Sequence, residues 1–282
     1  MYKASIILAF FNRIDYLKLV LAGLERQTVN DFEIIIADDG SSYETVRELE
    51  RTCRLSDYPI IHLRQKKSGF RKNRILNQAV VAANSEYLIF MDADCIPHPE
   101  FVKEHLQNRE QNYCLTGRRV NLSERITAQL TPVKIKDGFL EQNFILLIDD
   151  GLFGKSYDVE KGLYFKNKFL RNYFNRKQRG ILGCNFSVGA ADLIKINGFD
   201  ERYLAPSVGE DTDIEYRLSL CGIKVKSLNN IAVQYHLFHK IQDRPQENLS
   251  LFREVQKDKI FFTPYGIKKV KVKQKEPDNN KN

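Results

Sequence analysis

Residues 32–42 read FEIIIADDGSS and residues 87–95 read YLIFMDADC, so two apolar runs each end in closely spaced aspartates. Residues 4–11 form another apolar run and residues 59–63 a further segment of strand length, and helical patterns, of which the second is polar and the others are amphipathic, separate the four segments. Continuous apolar strands joined by helices are typical of an α/β protein with a mostly parallel sheet covered on both faces. Because ligands bind outside the carboxyl ends of such strands, both aspartate pairs are expected at one binding edge.

The composition is that of a folded protein, because 43% of the 282 residues are hydrophobic and only 28% are charged. The longest uncharged apolar runs, residues 4–11 and 144–148, are far shorter than the roughly 20 residues that cross a bilayer. Polar residues follow the first run without a cleavage site, so we interpret it as a buried strand and not a signal sequence. Five scattered cysteines without a CxxC pair favour reduced thiols in the cytoplasm over a disulfide framework or a zinc site.

The net charge of +8 is unevenly distributed along the chain. Residues 161–179 contain seven basic residues and no acidic one, and residues 264–282 carry +4, so the rest of the chain carries −3. Apolar side chains stand at helical spacing between the basic residues of the first stretch: Phe165, Phe169, Leu170, Tyr173 and Phe174. This pattern is typical of a segment that lies on an anionic membrane, and the alternative is a solvated basic helix.

The two aspartate pairs carry the first candidate chemistry. Asp92 and Asp94 can hold a hard divalent cation, Mg²⁺ or Mn²⁺, which would bridge to diphosphate oxygens. Asp38 and Asp39 can accept hydrogen bonds from a nucleobase and from ribose hydroxyls. The alternatives are a turn at the end of the strand for the first pair and an Asx-turn for the second.

Further candidates lie outside these strands. Glu210 and Asp211 are candidates for a general base that deprotonates an acceptor hydroxyl. The alternative is purely local, since Thr212 and Glu215 have the spacing of a capping box and acidic residues favour a helix start.

Histidine and basic residues supply the remaining candidates. His236 and His239 could ligate a metal or hydrogen-bond a substrate, or they could be structural. Arg71, Lys72 and Arg74 open a predicted helix, where basic side chains and backbone N–H groups can neutralise phosphate, although a solvated surface is the alternative.

In order and spacing, these segments resemble the nucleotide-binding half of glycosyltransferase family 2, which has the GT-A fold. The segments that carry the resemblance are SIILAFFNR (5–13), FEIIIADDGSS (32–42), SGFRKNRILNQA (68–79) and LIFMDADC (88–95). GCNFSVGAADLIKINGFDERY (183–203) and GEDTDIEYRLSLCG (209–222) look like the C-terminal segment of β-1,4-galactosyltransferases and bacterial chondroitin-type polymerases. The resemblance implies a Rossmann-like, mostly parallel central sheet flanked by helices, followed by an acceptor-binding part.

The resemblance also implies individual roles. Phe11 would pack on uracil, and Asp39 would contact uridine. Asp94, Asp92 and His236 would hold the cation, with His239 the weaker candidate for the histidine ligand. The implied nucleotide-sugar-binding residues are Ala9, Phe11, Arg13, Asp38, Asp39, Arg71, Asp92 and Ala93.

The acceptor side shows one departure from the family pattern. The resemblance makes Asp211 the catalytic base and Glu210 an acceptor contact. Relatives carry Trp-Gly-Gly before this pair, whereas this chain has Pro-Ser-Val-Gly at residues 206–209 and no tryptophan. The aromatic platform for the acceptor sugar is therefore expected to be missing or to be replaced by Phe199 or Tyr203.

The resulting expectation is a metal-dependent inverting glycosyltransferase of bacterial surface polysaccharide synthesis. It would move Gal, GalNAc, GlcNAc or a similar sugar from a UDP-sugar to a glycan or lipid-linked glycan, in the cytoplasm or peripherally at the inner face of the plasma membrane. The chain would divide into a nucleotide-sugar part (1–120), a variable aromatic and basic segment (121–180), an acceptor-binding and catalytic part (181–265) and a disordered basic tail (266–282).

Two other functions remain open at this point. A non-catalytic scaffold for glycan or protein partners could use the same fold, although the intact acidic motifs argue against it. A basic nucleic-acid-binding protein is a further alternative, against which stand the mildly acidic body and the lack of a nucleic-acid-binding motif.

Overall fold

The computed structural model describes residues 2–206, 209–240 and 247–269. Within these residues the strands form one seven-stranded and one three-stranded sheet. In chain order the strands are β1 (Ala4–Phe10), β2 (Phe32–Asp38), β3 (Ile60–Arg64), β4 (Tyr87–Asp92), β5 (Cys95–Pro97), β6 (Tyr113–Thr116), β7 (Arg118–Asn121), β8 (Asn185–Gly189), β9 (Lys224–Ser227) and β10 (Val233–His236).

Helices join most of these strands, and a 3-10 helix spans Val159–Gly162. The α-helices of the described residues are α1 (Ile14–Leu24), α2 (Tyr43–Arg54), α3 (Lys72–Ala82), α4 (Phe101–Gln107), α5 (Glu124–Thr127), α6 (Pro132–Lys136), α7 (Phe139–Gln142), α8 (Phe144–Phe153), α9 (Lys168–Phe174), α10 (Ala190–Lys195), α11 (Asp211–Leu220) and α12 (Glu247–Lys257). Within the described parts of the chain, no helix has both the length and the apolar character needed to cross a membrane.

The large sheet has the strand order β3-β2-β1-β4-β8-β6-β9 and is mostly parallel. Only β8 runs antiparallel to its neighbours, β4 and β6. The register pairs Ala9 of β1 with Asp92 of β4, and Phe10 with Asp38 of β2. The predicted α/β class and mostly parallel sheet are confirmed, and both aspartate pairs follow strands that end at the same edge.

Both faces of the large sheet are covered, as the continuous apolar strands predict. Ile6 and Leu8 belong to one buried cluster together with α1, whereas Ile7 belongs to a second cluster together with Ile75 of α3. Successive side chains of a strand point to opposite faces, so every position of an apolar strand is buried when helices cover both sides. This packing holds the ends of β1, β2 and β4 in fixed positions.

The small sheet carries the C-terminal part of the chain to the same edge. β10 pairs antiparallel with β5 and parallel with β7. His236 at the end of β10 lies opposite Cys95 on one side and Asn121 on the other. Since Cys95 directly follows Asp94, this register places His236 beside the DxD segment.

Two features of the structure bear on the expected division of the chain. β8 and β9, which belong to the expected acceptor-binding and catalytic part, lie in the same large sheet as β1 to β4. The ordered chain also continues beyond residue 266, because the backbone N–H groups of Ile267 and Lys268 donate to Asn197. The rest of the predicted tail, residues 270–282, lies outside the described residues.

His105 of α4 is buried against β8, and we therefore expect the free energy of unfolding to depend on pH. Its Nε2 lies 3.1 Å from Asn185 Oδ1 and its Nδ1 lies 2.7 Å from Ser187 Oγ. Burial lowers the pKa of His105 to about 4, so the folded protein keeps a neutral imidazole where the unfolded chain already binds a proton. The contribution of His105 to the free energy of unfolding therefore has its full value above the unfolded-state pKa of about 6.5, and it decreases as the pH falls towards 4.

Between pH 7 and pH 4, we expect His105 to account for a decrease of about 3 kcal/mol in the free energy of unfolding. Urea denaturation of the wild type and of His105→Gln at both pH values measures this contribution. At pH 7 the variant should have a lower free energy of unfolding than the wild type. Between pH 7 and pH 4 this free energy should decrease by less in the variant, since Gln does not titrate. Equal decreases for the two proteins would contradict the assignment.

Candidate active site

A cavity of about 930 Å³ opens at the carboxyl ends of β1, β2 and β4. Its walls contain many of the predicted nucleotide-sugar and metal residues, which therefore lie close together. Those residues are Ala9, Phe11, Arg13, Asp39, Asp92, Ala93 and Asp94. Further lining residues are Tyr16, Lys67, Lys72, Glu124, Phe238 and His239.

Asp39 is fixed in the wall of this cavity by three contacts. Its Oδ1 accepts a hydrogen bond of 2.7 Å from Gln65 Nε2, and its Oδ2 accepts one of 3.0 Å from the backbone N–H of Arg71. Lys67 Nζ lies 3.7 Å from the same Oδ2. The carboxylate is therefore held rigidly, with lone pairs left to accept hydrogen bonds from a ligand in the cavity.

Phe11 offers an aromatic surface in the same cavity. Its ring is 42% exposed, and Lys67 Nζ lies 3.7 Å from the ring centroid. Arg13, beside it, stacks on Tyr16 with 3.7 Å between the guanidinium carbon and the ring centroid. An exposed ring with cations in the same cavity suits a planar heterocycle attached to phosphate.

Asp38 has a structural role, and its predicted contact with the nucleotide is wrong. The side chain is fully buried, and its Oδ1 accepts hydrogen bonds from the backbone and hydroxyl of Ser41. Its Oδ2 lies 3.1 Å from His62 Nε2. Burial disfavours the charged form, but these hydrogen bonds outweigh it and lower the pKa of Asp38. The Asx-turn alternative therefore holds for Asp38 but not for Asp39.

The basic residues at the start of α3 divide their roles in an unexpected way. Arg71 acts through its backbone N–H on Asp39, and its side chain is not part of the cavity wall. Lys72 does line the cavity, so it is the residue of this group whose side chain is placed to meet a ligand there. Arg71 and Lys72 are adjacent basic residues in the sequence. Which of the two side chains points into the cavity depends on where α3 begins, and the sequence alone does not show this.

Lys72 joins the DxD segment to the Glu-Asp pair. Its Nζ lies 2.7 Å from Asp92 Oδ1 and 2.6 Å from Glu210 Oε1. Burial opposes the charge of Lys72, but the two carboxylates outweigh it and raise the pKa of Lys72. Burial also raises the pKa of Glu210 to about 7, despite the attraction of Lys72, with Asp92 and Asp211 adding repulsion. This bridge was not predicted, since 138 positions separate Lys72 from Glu210.

The carboxylate of Asp94 lies close to the imidazoles of both candidate histidines. Its Oδ2 lies 3.6 Å from His236 Nε2 and 3.4 Å from His239 Nε2, and the two Nε2 atoms are 3.1 Å apart. Burial disfavours ionisation, but the imidazoles outweigh it and hold the pKa of Asp94 well below its usual range. The hydrogen bond with Asp94 in turn raises the pKa of His239.

One carboxylate and two imidazoles that converge in this way fit a divalent transition-metal ion. Carboxylates suit Mg²⁺ and Mn²⁺ and imidazoles suit transition metals, so the mixed set is compatible with a divalent cation. The buried thiol of Cys95 is also near, and ligand atoms of Asp94, Cys95 and His236 all lie within 4.8 Å of one another. The scattered cysteines of the sequence argue against a zinc site, and their spacing gives no sign that Cys95 lies this close to His236.

Asp211 begins α11, so the predicted capping box at Thr212 is wrong. Asp211 Oδ2 accepts a hydrogen bond of 3.1 Å from Gly183 N–H, and its Oδ1 accepts one of 2.8 Å from Thr212 N–H. Glu215 turns away to accept a hydrogen bond from the backbone of Ile181. A side chain at Gly183 would meet both Glu210 and Asp211, so the glycine leaves space in front of the two carboxylates.

Phe199 and Tyr203 cannot form the acceptor platform that the sequence led us to expect. Phe199 is fully buried and packs edge-on against Phe90. Tyr203 is 2% exposed, its hydroxyl donates to Asp213, and its ring packs under Gly209. Both residues support the loop that carries the Glu-Asp pair.

The same loop is tied to α3 by two asparagines, which explains how distant residues meet. Asn73 donates to the backbone carbonyls of Asp200 and Gly209. Asn77 exchanges hydrogen bonds with the backbone of Phe199. α3 thus carries Lys72 at its start and also holds the segment that leads into Glu210.

Comparison with known proteins agrees with this geometry. Residues 5–174 match the model of glycosyl transferase family 2, and residues 165–240 match a model described as the N-terminal domain of galactosyltransferase. Chondroitin synthase of Escherichia coli is 27% identical over 82% of this chain and 34% of its own length. The uncharacterized glycosyltransferase YfnE of Bacillus subtilis is 28% identical over 84% of this chain and 65% of its own length. The chain therefore spans about a third and about two thirds of these two relatives.

A solved structure shares the fold at low identity. The crystal structure of GalNAc-T7 with UDP, GalNAc and Mn²⁺ has a TM-score of 0.60 and 14% identity, and it covers 90% of this chain and 48% of that one. Its likeness concerns the fold alone. Because the family model covers more than half of the chain, we conclude that the protein is a glycosyltransferase that belongs to family 2 and has the GT-A fold.

Proposed function

We propose that the protein transfers a sugar from a UDP-sugar to a hydroxyl of a glycan, with inversion at the anomeric carbon and with the help of a divalent cation. One observation carries the proposal: Phe11 and Asp39 line the same cavity as Asp94, which meets His236 and His239. A base-binding surface and a cation site in one cavity suit a nucleotide diphosphate.

The residues have separate tasks in this proposal. Phe11 stacks on the uracil, and Asp39 accepts hydrogen bonds from uridine. Asp94 and His236 would hold the cation with Asp92 beside them, and His239 is a second imidazole at the same carboxylate. The cation, when bound, neutralises the charge that develops on the leaving UDP.

The acceptor chemistry falls to the Glu-Asp pair. Asp211 accepts the proton of the acceptor hydroxyl as its oxygen attacks the anomeric carbon from the face opposite UDP. Glu210 orients the acceptor, and Lys72 fixes Glu210 relative to Asp92. The proposed acceptor is a glycan or lipid-linked glycan of a bacterial surface polysaccharide, which the likeness to chondroitin synthase supports.

The scaffold and nucleic-acid alternatives have less support than the transferase. The family match is to enzymes, and the acidic residues that a transferase needs are present in one cavity or next to it. A basic surface remains, but it lies outside this cavity.

Metal removal tests the proposal. UDP release should be followed with UDP-Gal, UDP-GalNAc and UDP-GlcNAc, each with an acceptor glycan, with GDP-mannose as the control donor. We expect one UDP-sugar to be turned over, EDTA to stop it and Mn²⁺ to restore it, because removing a Lewis acid worth about 4 kcal/mol lowers the rate about 10³-fold. Turnover that is indifferent to chelation would disprove the metal role, and turnover of GDP-mannose alone would disprove the UDP assignment.

A further inference from the structure

A second basic region lies away from the active-site cavity, around α9. Its residues line a groove of about 1010 Å³ between α9 and the edge strand β9. Basic side chains dominate the groove: Lys166, Lys168, Arg171, Arg176, Lys224 and Lys226. Glu110 is the acidic side chain among its lining residues, and it pairs with Lys226.

One side of α9 is attached to the body of the protein. Arg171 forms an ion pair with Glu104, with 2.9 Å between Arg171 Nη1 and Glu104 Oε2. One turn later, Asn175 exchanges hydrogen bonds with the backbone of Asn229, at 3.0 and 2.8 Å. These contacts set which side of the helix faces outwards.

The outward side carries aromatic rings. Phe169 and Tyr173 each stand two positions before an anchoring residue, about 200° away around the helix at 3.6 residues per turn. Phe169 is 70% exposed and Tyr173 is 54% exposed. Exposed rings one turn apart form an apolar edge that is available to a partner.

Uncompensated positive charge surrounds this aromatic edge. Lys166, Lys168 and Lys177 are exposed, and among the described residues none of them has an ion-pair partner. The guanidinium of Arg176 lies 5.2 Å from the ring centroid of Tyr173. A partner that fits must accept aromatic side chains and also carry negative charge.

We infer that α9 is a docking surface for an anionic lipid bilayer, with Phe169 and Tyr173 inserted at the interface and the surrounding cations on lipid phosphates. An anionic glycan fits less well, because it could engage the basic side chains that line the groove but would leave both rings in water. A bilayer satisfies the rings and the charges together. The inference does not depend on the proposed reaction.

Vesicle flotation of the full chain tests the docking surface. We expect binding to vesicles of equal parts phosphatidylcholine and phosphatidylglycerol, little binding to phosphatidylcholine alone, and weaker binding at high salt. Phe169→Ser/Tyr173→Ser should lower the partition coefficient about tenfold. Lys166→Gln and Lys168→Gln should each lower it about fivefold, equivalent to about 1 kcal/mol per charge near an anionic surface.

Tyr43→Ser/Leu55→Ser is the matched control, because it removes two exposed apolar side chains, 76% and 83% exposed, from another region. It should bind vesicles like the wild type, and the circular dichroism spectra and urea denaturation of all variants should confirm folding. Unchanged flotation of Phe169→Ser/Tyr173→Ser would overturn the inference. Retention on an immobilised polyuronate that needs the lysines but not the rings, without flotation, would also overturn it in favour of a glycan.

Discussion

Asp211→Asn is expected to lower sugar transfer about 10³-fold while leaving UDP binding nearly unchanged. The amide keeps the size of the carboxylate, and its single oxygen can still accept the hydrogen bond from Thr212 N–H at the start of α11, although the one from Gly183 N–H is lost. It cannot take a proton from the acceptor. Because Asp211 is not part of the cavity wall, the nucleotide site should be unaffected.

Glu210→Gln is the matched control for this experiment. Glu210 is already engaged by Lys72 at 2.6 Å, whereas Asp211 receives only backbone and hydroxyl donors. We therefore expect Glu210→Gln to raise the KM for the acceptor more than it lowers kcat. Steady-state kinetics with both substrates varied, together with calorimetric titration of UDP, separate the two variants. If Asp211→Asn kept a near wild-type kcat and Glu210→Gln lost most of its kcat, Glu210 would be the base and Asp211 the acceptor contact.

The central strands and the binding edge could be predicted because both depend on local patterns. An apolar run of strand length followed by aspartates is visible in the sequence, and parallel strands bring such ends together. Asp39 and Asp92 both line the cavity at this edge. The position of β8 between β4 and β6 could not be predicted in this way, because strand order depends on contacts between distant segments.

The errors in the predicted site concern side-chain direction. Asp38 and Asp39 are chemically identical neighbours, yet the first is buried under His62 and the second lines the cavity. Phe199 and Tyr203 have the chemistry of an acceptor platform, but an aromatic ring is equally suited to a core. Sequence pattern shows which groups are present, and only packing decides which of them face a ligand.

Lys72 shows that contacts between distant parts of the chain could not be predicted from the sequence. Its basic character was visible at the start of a helix, but its bridge between Asp92 and Glu210 requires α3 to hold the loop before Glu210. Asn73 and Asn77, which make that attachment, carry no recognisable motif in the sequence. Buried asparagines that bind distant backbone are found only once the chain is folded.

Asp94→Asn is expected to have an effect as large as that of Asp211→Asn, but through the cation. The substitution keeps the side chain's volume and removes the negative charge that lies 3.4 and 3.6 Å from the two imidazoles. Two neutral nitrogens and an amide oxygen hold a divalent cation less tightly than a set with a carboxylate. We expect Mn²⁺ affinity to fall at least about 10²-fold and transfer about 10³-fold, with UDP binding weakened only when Mn²⁺ is present.

The single-histidine variants then assign the second ligand. His236 is held in β10, and its side chain is 13% exposed, against 36% for His239. A ligand on a strand is held more rigidly than one beyond its end, so His236→Gln should cost more Mn²⁺ affinity than His239→Gln. Asp149→Asn, in which a half-exposed carboxylate of α8 is replaced, is the matched control and should bind Mn²⁺ like the wild type. Unaltered Mn²⁺ affinity in Asp94→Asn would remove Asp94 and both histidines from the cation site, because these imidazoles converge on Asp94.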